Sequence, residues 1–246
     1  MKTILGLLLF ANWVSAADLS TLIQRGDVYD QQLQPDKALQ YYLPAEKQAP
    51  TNASLLVKIA RQYVFRMDSL KTSAEKLALA QTALGYAQRA VKAAPKEGDG
   101  YLSMAIVYGK MTPLLGNREK IELSKKIKEA SEKAVQLAPQ NDYAWHMLGR
   151  WHQALAGMGS LTRSLAQLVY GELPEASHEE AIRCFKKAIQ LNSERLIHYI
   201  ELGRTYAQMG DTAQARQWIE KGLAMPNREK DDPETKSRGR RTLNSL

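Results

Sequence analysis

A small set of small and aromatic residues recurs along this chain at a fixed spacing, and that recurrence limits the fold more than any other feature. Its cleanest copy is Tyr199, Leu202, Gly203 and Tyr206, then Gly210 and Asp211, then Ala215. Residues at i, i+3 and i+4 share one face of a helix. A glycine or alanine on that face lets a second helix approach closely, and the Gly-Asp pair supplies the turn between the two. Earlier copies run through Gly26, Tyr29, Ala38, Tyr42 and Ala45; through Ile59, Ala60, Tyr63, Ala83, Ala87 and Ala90; and through Tyr101, Ala105, Tyr108 and Ala134. A fourth, interrupted copy has Trp145, Leu148 and Gly149, then Ala181, Phe185 and Ala188. The endings AVKAAP, AVQLAP and AIQLNS repeat one helix terminus, where Pro or Ser stops one helix pair and opens the next.

Five helix pairs in phase are the signature of a tetratricopeptide-type repeat array. The expected fold is all-α: a solenoid of about five helix pairs, roughly 19–52, 53–97, 98–141, 142–195 and 196–229, in one domain over 17–246. The middle three repeats exceed an uninterrupted one by 11, 10 and 20 residues. The first two excesses lengthen helices or loops. The third is long enough for a helix of its own, Ser160 to Tyr170, ending at Gly171 with Pro174 beyond. Its apolar stripe of Leu161, Leu165, Leu168 and Val169 is expected to extend the core or partly cover the groove. Lys96 to Gly100 reads as a loop, and Pro233 to Leu246 as a final capping helix, unless Arg238, Arg240 and Arg241 leave it frayed.

Four segments carry a more specific likeness: LGRW at 148–151, LVYGELPEAS at 168–177, EEAIRCFKKA at 179–188 and ELGRTYAQMGDTAQARQWIEKGL at 201–223. Together they resemble the regulator of microtubule dynamics proteins over about residues 20–225. The resemblance implies a helical repeat fold. It also implies links to microtubules, mitochondria and organelle contact sites in eukaryotic members, and phospholipid binding through the repeat domain in some. The amino terminus departs from the eukaryotic pattern. Residues 1–16 read as a secretory signal peptide, with Lys2, an apolar run from Ile4 to Val14, and Val14-Ser15-Ala16 before a cleavage point. Export to the periplasm or the medium is therefore expected. An uncleaved membrane anchor is the alternative, although the run is short for a span.

The chain carries a net charge of +8, unevenly spread. Residues 53–97 hold eight basic and three acidic side chains, whereas 17–52 hold three and five. A basic stripe attracts acidic peptide, anionic phospholipid or nucleic acid. Nucleic acid is the weakest of these, since no zinc spacing, helix-turn-helix or RNA-binding signature occurs. The first helix of each repeat lines the concave side of such a solenoid. Groove candidates are accordingly Val57, Arg61, Val64 and Phe65; Leu102, Ile106 and Lys110; His146 and Arg150; and Ile197, Ile200 and Arg204. Arg61, Arg150 and Arg204 share one repeat position, so stacking sets three guanidinium groups along the groove, where their forks suit carboxylate or phosphate. The alternative is that each pairs with a carboxylate of a neighbouring helix.

Chemistry is not indicated. His146 and His152 lie six residues apart rather than four, and no HExxH, GxSxG, phosphate-binding glycine loop or CxxC occurs. No metal, cofactor or catalytic residue is expected. The lone Cys184 excludes an internal disulfide and reads as a small buried apolar group. The expected function is a non-enzymatic scaffold that binds a protein or peptide with acidic groups in a basic and apolar groove. A phospholipid-binding domain is the alternative, and a microtubule-associated factor follows from the resemblance alone.

Overall fold

The structure, a computed structural model, describes residues 18–159, 163, 164, 166–168, 171 and 175–246. The signal-peptide expectation over 1–16 lies outside them. The described helices are α1 (Leu19–Gln31), α2 (Pro35–Gln48), α3 (Ala53–Met67), α4 (Ser73–Ala93), α5 (Gly98–Met111), α6 (Asn117–Leu137), α7 (Asp142–Ala156), α8 (His178–Leu191), α9 (Leu196–Gln208), α10 (Thr212–Ala224) and α11 (Asp232–Asn244). A 3-10 turn, Thr112–Leu114, joins α5 to α6. No strand occurs among the described residues.

Helix starts follow local chemistry. Asn52, Asn141, Ser177 and Asp211 each turn a side-chain oxygen onto backbone N–H groups of the first turn, which would otherwise lack acceptors. Thr72 and Glu75 form a reciprocal capping box at the start of α4. The helices pack as successive antiparallel pairs, α1 with α2 through α9 with α10, and each pair stacks on the next. First helices also touch across repeats: α3 meets α5, α5 meets α7 and α7 meets α9. The capping helix α11 lies on α9 and α10, where a sixth repeat would begin.

Close approach at small residues holds the pairs together. A Cβ added to Gly149 would stand 3.0 Å from Phe185 Cε1 and 3.1 Å from Cys184 Cβ, and Phe185 and Cys184 are both fully buried. Burial pushes the Cys184 thiol up to about 12, so it stays protonated and apolar in character.

Two expectations need correction. Lys96 to Gly100 is not a loop throughout, because α5 already begins at Gly98. A Cβ on Gly100 would lie 2.9 Å from Val91 N, so this glycine serves backbone packing rather than a turn. In the insertion, residues 163, 164 and 166–168 are helical and Gly171 takes φ +81, a left-handed helix stop. Leu168, however, is 84% exposed and adds nothing to the core; Leu161, Leu165 and Val169 lie outside the described residues.

Candidate ligand channel

The concave side carries two adjoining cavities, of about 560 and 490 Å³. The first lies among α3, α5, the start of α7 and the segment 229–232. The second lies among α5, α6, α7 and α11. Ile106, Lys110, Tyr143, Ile197 and Asp231 border both, so the two form one channel. Its floor is apolar: Val64, Phe65 and Leu102 in the first cavity, Met147, Trp151 and Leu155 in the second.

The segment between α10 and α11 straps across this channel. Asp232, almost fully buried, accepts hydrogen bonds from the Arg228 and Glu229 backbone N–H groups, both at 2.7 Å, and so shapes the bend. Glu229 then reaches Arg195 at 3.0 Å. The Lys230 ammonium donates to the Phe65 carbonyl, sits 5.1 Å from the centre of the Phe65 ring and lies 3.8 Å from Asp68. A residue near the end of the chain thereby ties the last repeat to the second.

Six of the eight predicted groove residues border the channel and two do not. Phe65, Ile106 and Lys110 line the channel, Ile106 and Lys110 in both cavities. Arg61 lines the first cavity but is bound to buried Asp30. His146 and Arg150 border the second. Arg204 borders neither and holds Glu201 at 2.6 Å. Ile200 does not belong to the channel: it is fully buried, packed against Leu196 and Ile219, with its tip against Gly222 and Gly239. It lies near Ile197 on the same helix face, but α11, packed on α9 and α10, covers it and makes it core.

The three arginines are paired rather than free. Glu201, wholly buried, is met by Arg150, by Arg204, and by Arg238 at 3.3 Å. Burial pushes its carboxyl up, yet the three guanidinium groups outweigh burial and hold it at about 2. Sequence reasoning missed Glu201, Arg238 and Lys230. Glu201 merely opens the family-like segment 201–223, and only folding brings Lys230 and Arg238 to the channel and Glu201 behind its wall.

Beside the cluster runs a buried relay. His198 Nε2 lies 2.8 Å from Asp142 Oδ2, and its Nδ1 lies 3.0 Å from His146 Nδ1. Burial raises the Asp142 carboxyl, but the His198 hydrogen bond and Arg195 draw it below the usual range. Ionised Asp142 therefore accepts from His198 Nε2–H, which leaves His198 Nδ1 to accept from His146. Burial above all, with His198 and nearby arginines, pushes His146 well down; burial also lowers His198. Both imidazoles are neutral, and the relay fixes α7 against α9. No group of three or more His, Cys, Asp or Glu able to hold a metal ion occurs among the described residues.

Stacked helix pairs with a concave channel define a tetratricopeptide-type scaffold. A thermophilic TPR protein of Thermus thermophilus superposes with a TM-score of 0.65 at 18% identity, covering 92% of this chain and all of that one. YrrB, described as a TPR protein with an unusual peptide-binding site, gives 0.51 at 14% identity, covering 94% of this chain and all of that one. The family model for regulator of microtubule dynamics protein 1-3 matches residues 22–246, and the chain belongs to that family. Regulator of microtubule dynamics protein 1 of Mus musculus is 27% identical over 208 residues, covering 84% of this chain and 68% of the relative. Regulator of microtubule dynamics protein 3 of Xenopus laevis is 26% identical over 185 residues, 73% of this chain and 39% of the relative.

Proposed function

We propose that the protein is a non-enzymatic scaffold whose concave channel holds a peptide segment of a protein partner. The observation that carries this reading is the apolar floor of the two adjoining cavities along three first helices, with Ile106 lining both. Stacked repeats present extended concave surfaces to partners, and YrrB is a fold neighbour described by its peptide-binding site. The relatives' names point to a microtubule-related partner, a class that applies only to a chain that is not exported.

Ile106→Arg is the direct test, because it puts a charge into both cavities at once. Capture of specific partners from the protein's own host is expected to fall by at least about tenfold, with the circular dichroism spectrum unchanged. If the same partners are recovered at the same yield, the channel is not their site. Phospholipid in the purified protein, lost in the variant, would favour a lipid-binding domain instead.

Export through residues 1–16 is part of the proposal. Mass spectrometry of the protein from its own host is expected to show a chain starting at Ala17 in the exported fraction. A cytoplasmic chain starting at Met1 would contradict this. Export itself would remove cytoplasmic microtubules as partners.

A further inference from the structure

The two halves of the channel differ in charge. In the first cavity Arg61, Lys110, Arg195 and Lys230 all face carboxylates within ion-pair distance. Acidic side chains there outnumber basic ones, counting Asp68, Asp99, Asp142, Glu229, Asp231 and Asp232. The second cavity is the reverse. Lys110, Lys120, Arg150 and Arg238 line it, against Asp231 and Glu234.

Behind that wall the imbalance persists. Arg150, Arg204 and Arg238 share the single carboxylate of Glu201, and Arg238 adds only the exposed Glu234 at 3.2 Å. Arg150 and Arg238 keep 37% and 23% of their side chains exposed. Arg238 Nε is buried without a hydrogen-bond acceptor. Lys120 makes no ion pair among the described residues, and Lys110 has its carboxylate 3.9 Å away, on the side of the first cavity. A partly desolvated cationic excess is costly until an anion answers it, and here it stands beside Met147 and Leu155.

On the reading of the channel as a peptide site, we propose that the second cavity is a subsite for an acidic side chain next to a bulky apolar one. The carboxylate lies between Lys120 and the Arg150–Arg238 edge, and the apolar side chain lies on Met147, Trp151 and Leu155. An acidic peptide is thereby directed to this half of the channel and repelled by the other, which sets the direction in which the partner lies.

The test is calorimetry of the mature chain with two blocked tetrapeptides, acetyl-Gly-Leu-Glu-Gly-amide and its Gln counterpart. The Glu peptide is expected to bind about tenfold more tightly at low salt. Arg238→Gln and Lys120→Gln should each reduce that preference. Lys120→Gln leaves the Glu201 cluster intact, so it separates binding from folding. Equal affinity for the two peptides, a preference that survives both substitutions, or no binding by either peptide would overturn the subsite. Charge-blind binding abolished by Ile106→Arg would retain the channel and remove only the subsite. Phosphatidylserine vesicles bound in place of the Glu peptide, and lost in the same variants, would replace it with an anionic lipid site.

Discussion

Glu201→Gln is expected to destabilise the fold by about 3–5 kcal/mol, the range for removing one partner from a buried ion pair. The amide leaves Arg150, Arg204 and Arg238 facing one another with no counter-charge at the centre. These residues lie on α7, α9 and α11, so repulsion loosens the fourth repeat, the fifth and the cap together. The same carboxylate predicts an acid limb. Its folded value is about 2, against 4.5 for an ordinary glutamate. A folded pKa below the unfolded one gives stability that is complete above the unfolded value and is lost as pH falls through the folded one. The window is therefore from about 4.5 down to about 2, and the contribution at neutral pH is about 3 kcal/mol. Urea unfolding of both proteins at about pH 7 and about pH 3 checks this. The difference between them should shrink at low pH. A constant difference would mean that Glu201 does not carry the acid sensitivity.

Phe185→Ala should cost about 3–5 kcal/mol, because the vacated volume lies where nothing mobile can fill it. The ring is fully buried, packs with Ala181 and Leu202, presses on Gly149 and meets the His146 ring at 5.3 Å. Helix backbone walls it on the Gly149 side. The loss is to be read from the urea midpoint at constant slope. A cost below about 1 kcal/mol would show that α7 and α8 collapse into the space.

Phe185 was legible in the sequence, and Glu201 as the centre of a charge cluster was not. Ala181, Phe185 and Ala188 stand at helical spacing, and spacing alone assigns them to one buried face. The same logic gave Phe65 and Ile106 their places on the concave side, since each lies on a first helix of a repeat. It misplaced Ile200, because a capping helix that covers α9 changes which face is core. It found Arg150 and Arg204 but left open whether their charge meets a ligand or a carboxylate. Their shared partner is decided by how α7, α9 and α11 lie against one another.

Helix periodicity and capping are local and repeat from one unit to the next, so the helix pairs, their order, the capping helix and the small residues at each crossing can all be read from residue spacing. Spacing says nothing of Arg150, Arg204 and Arg238 sharing Glu201, of Ile200 facing inward, or of Lys230 reaching Phe65 across 165 residues of chain. These contacts depend on superhelical curvature. Curvature is the accumulated sum of small rotations between neighbouring repeats, and no local segment of the sequence encodes that sum.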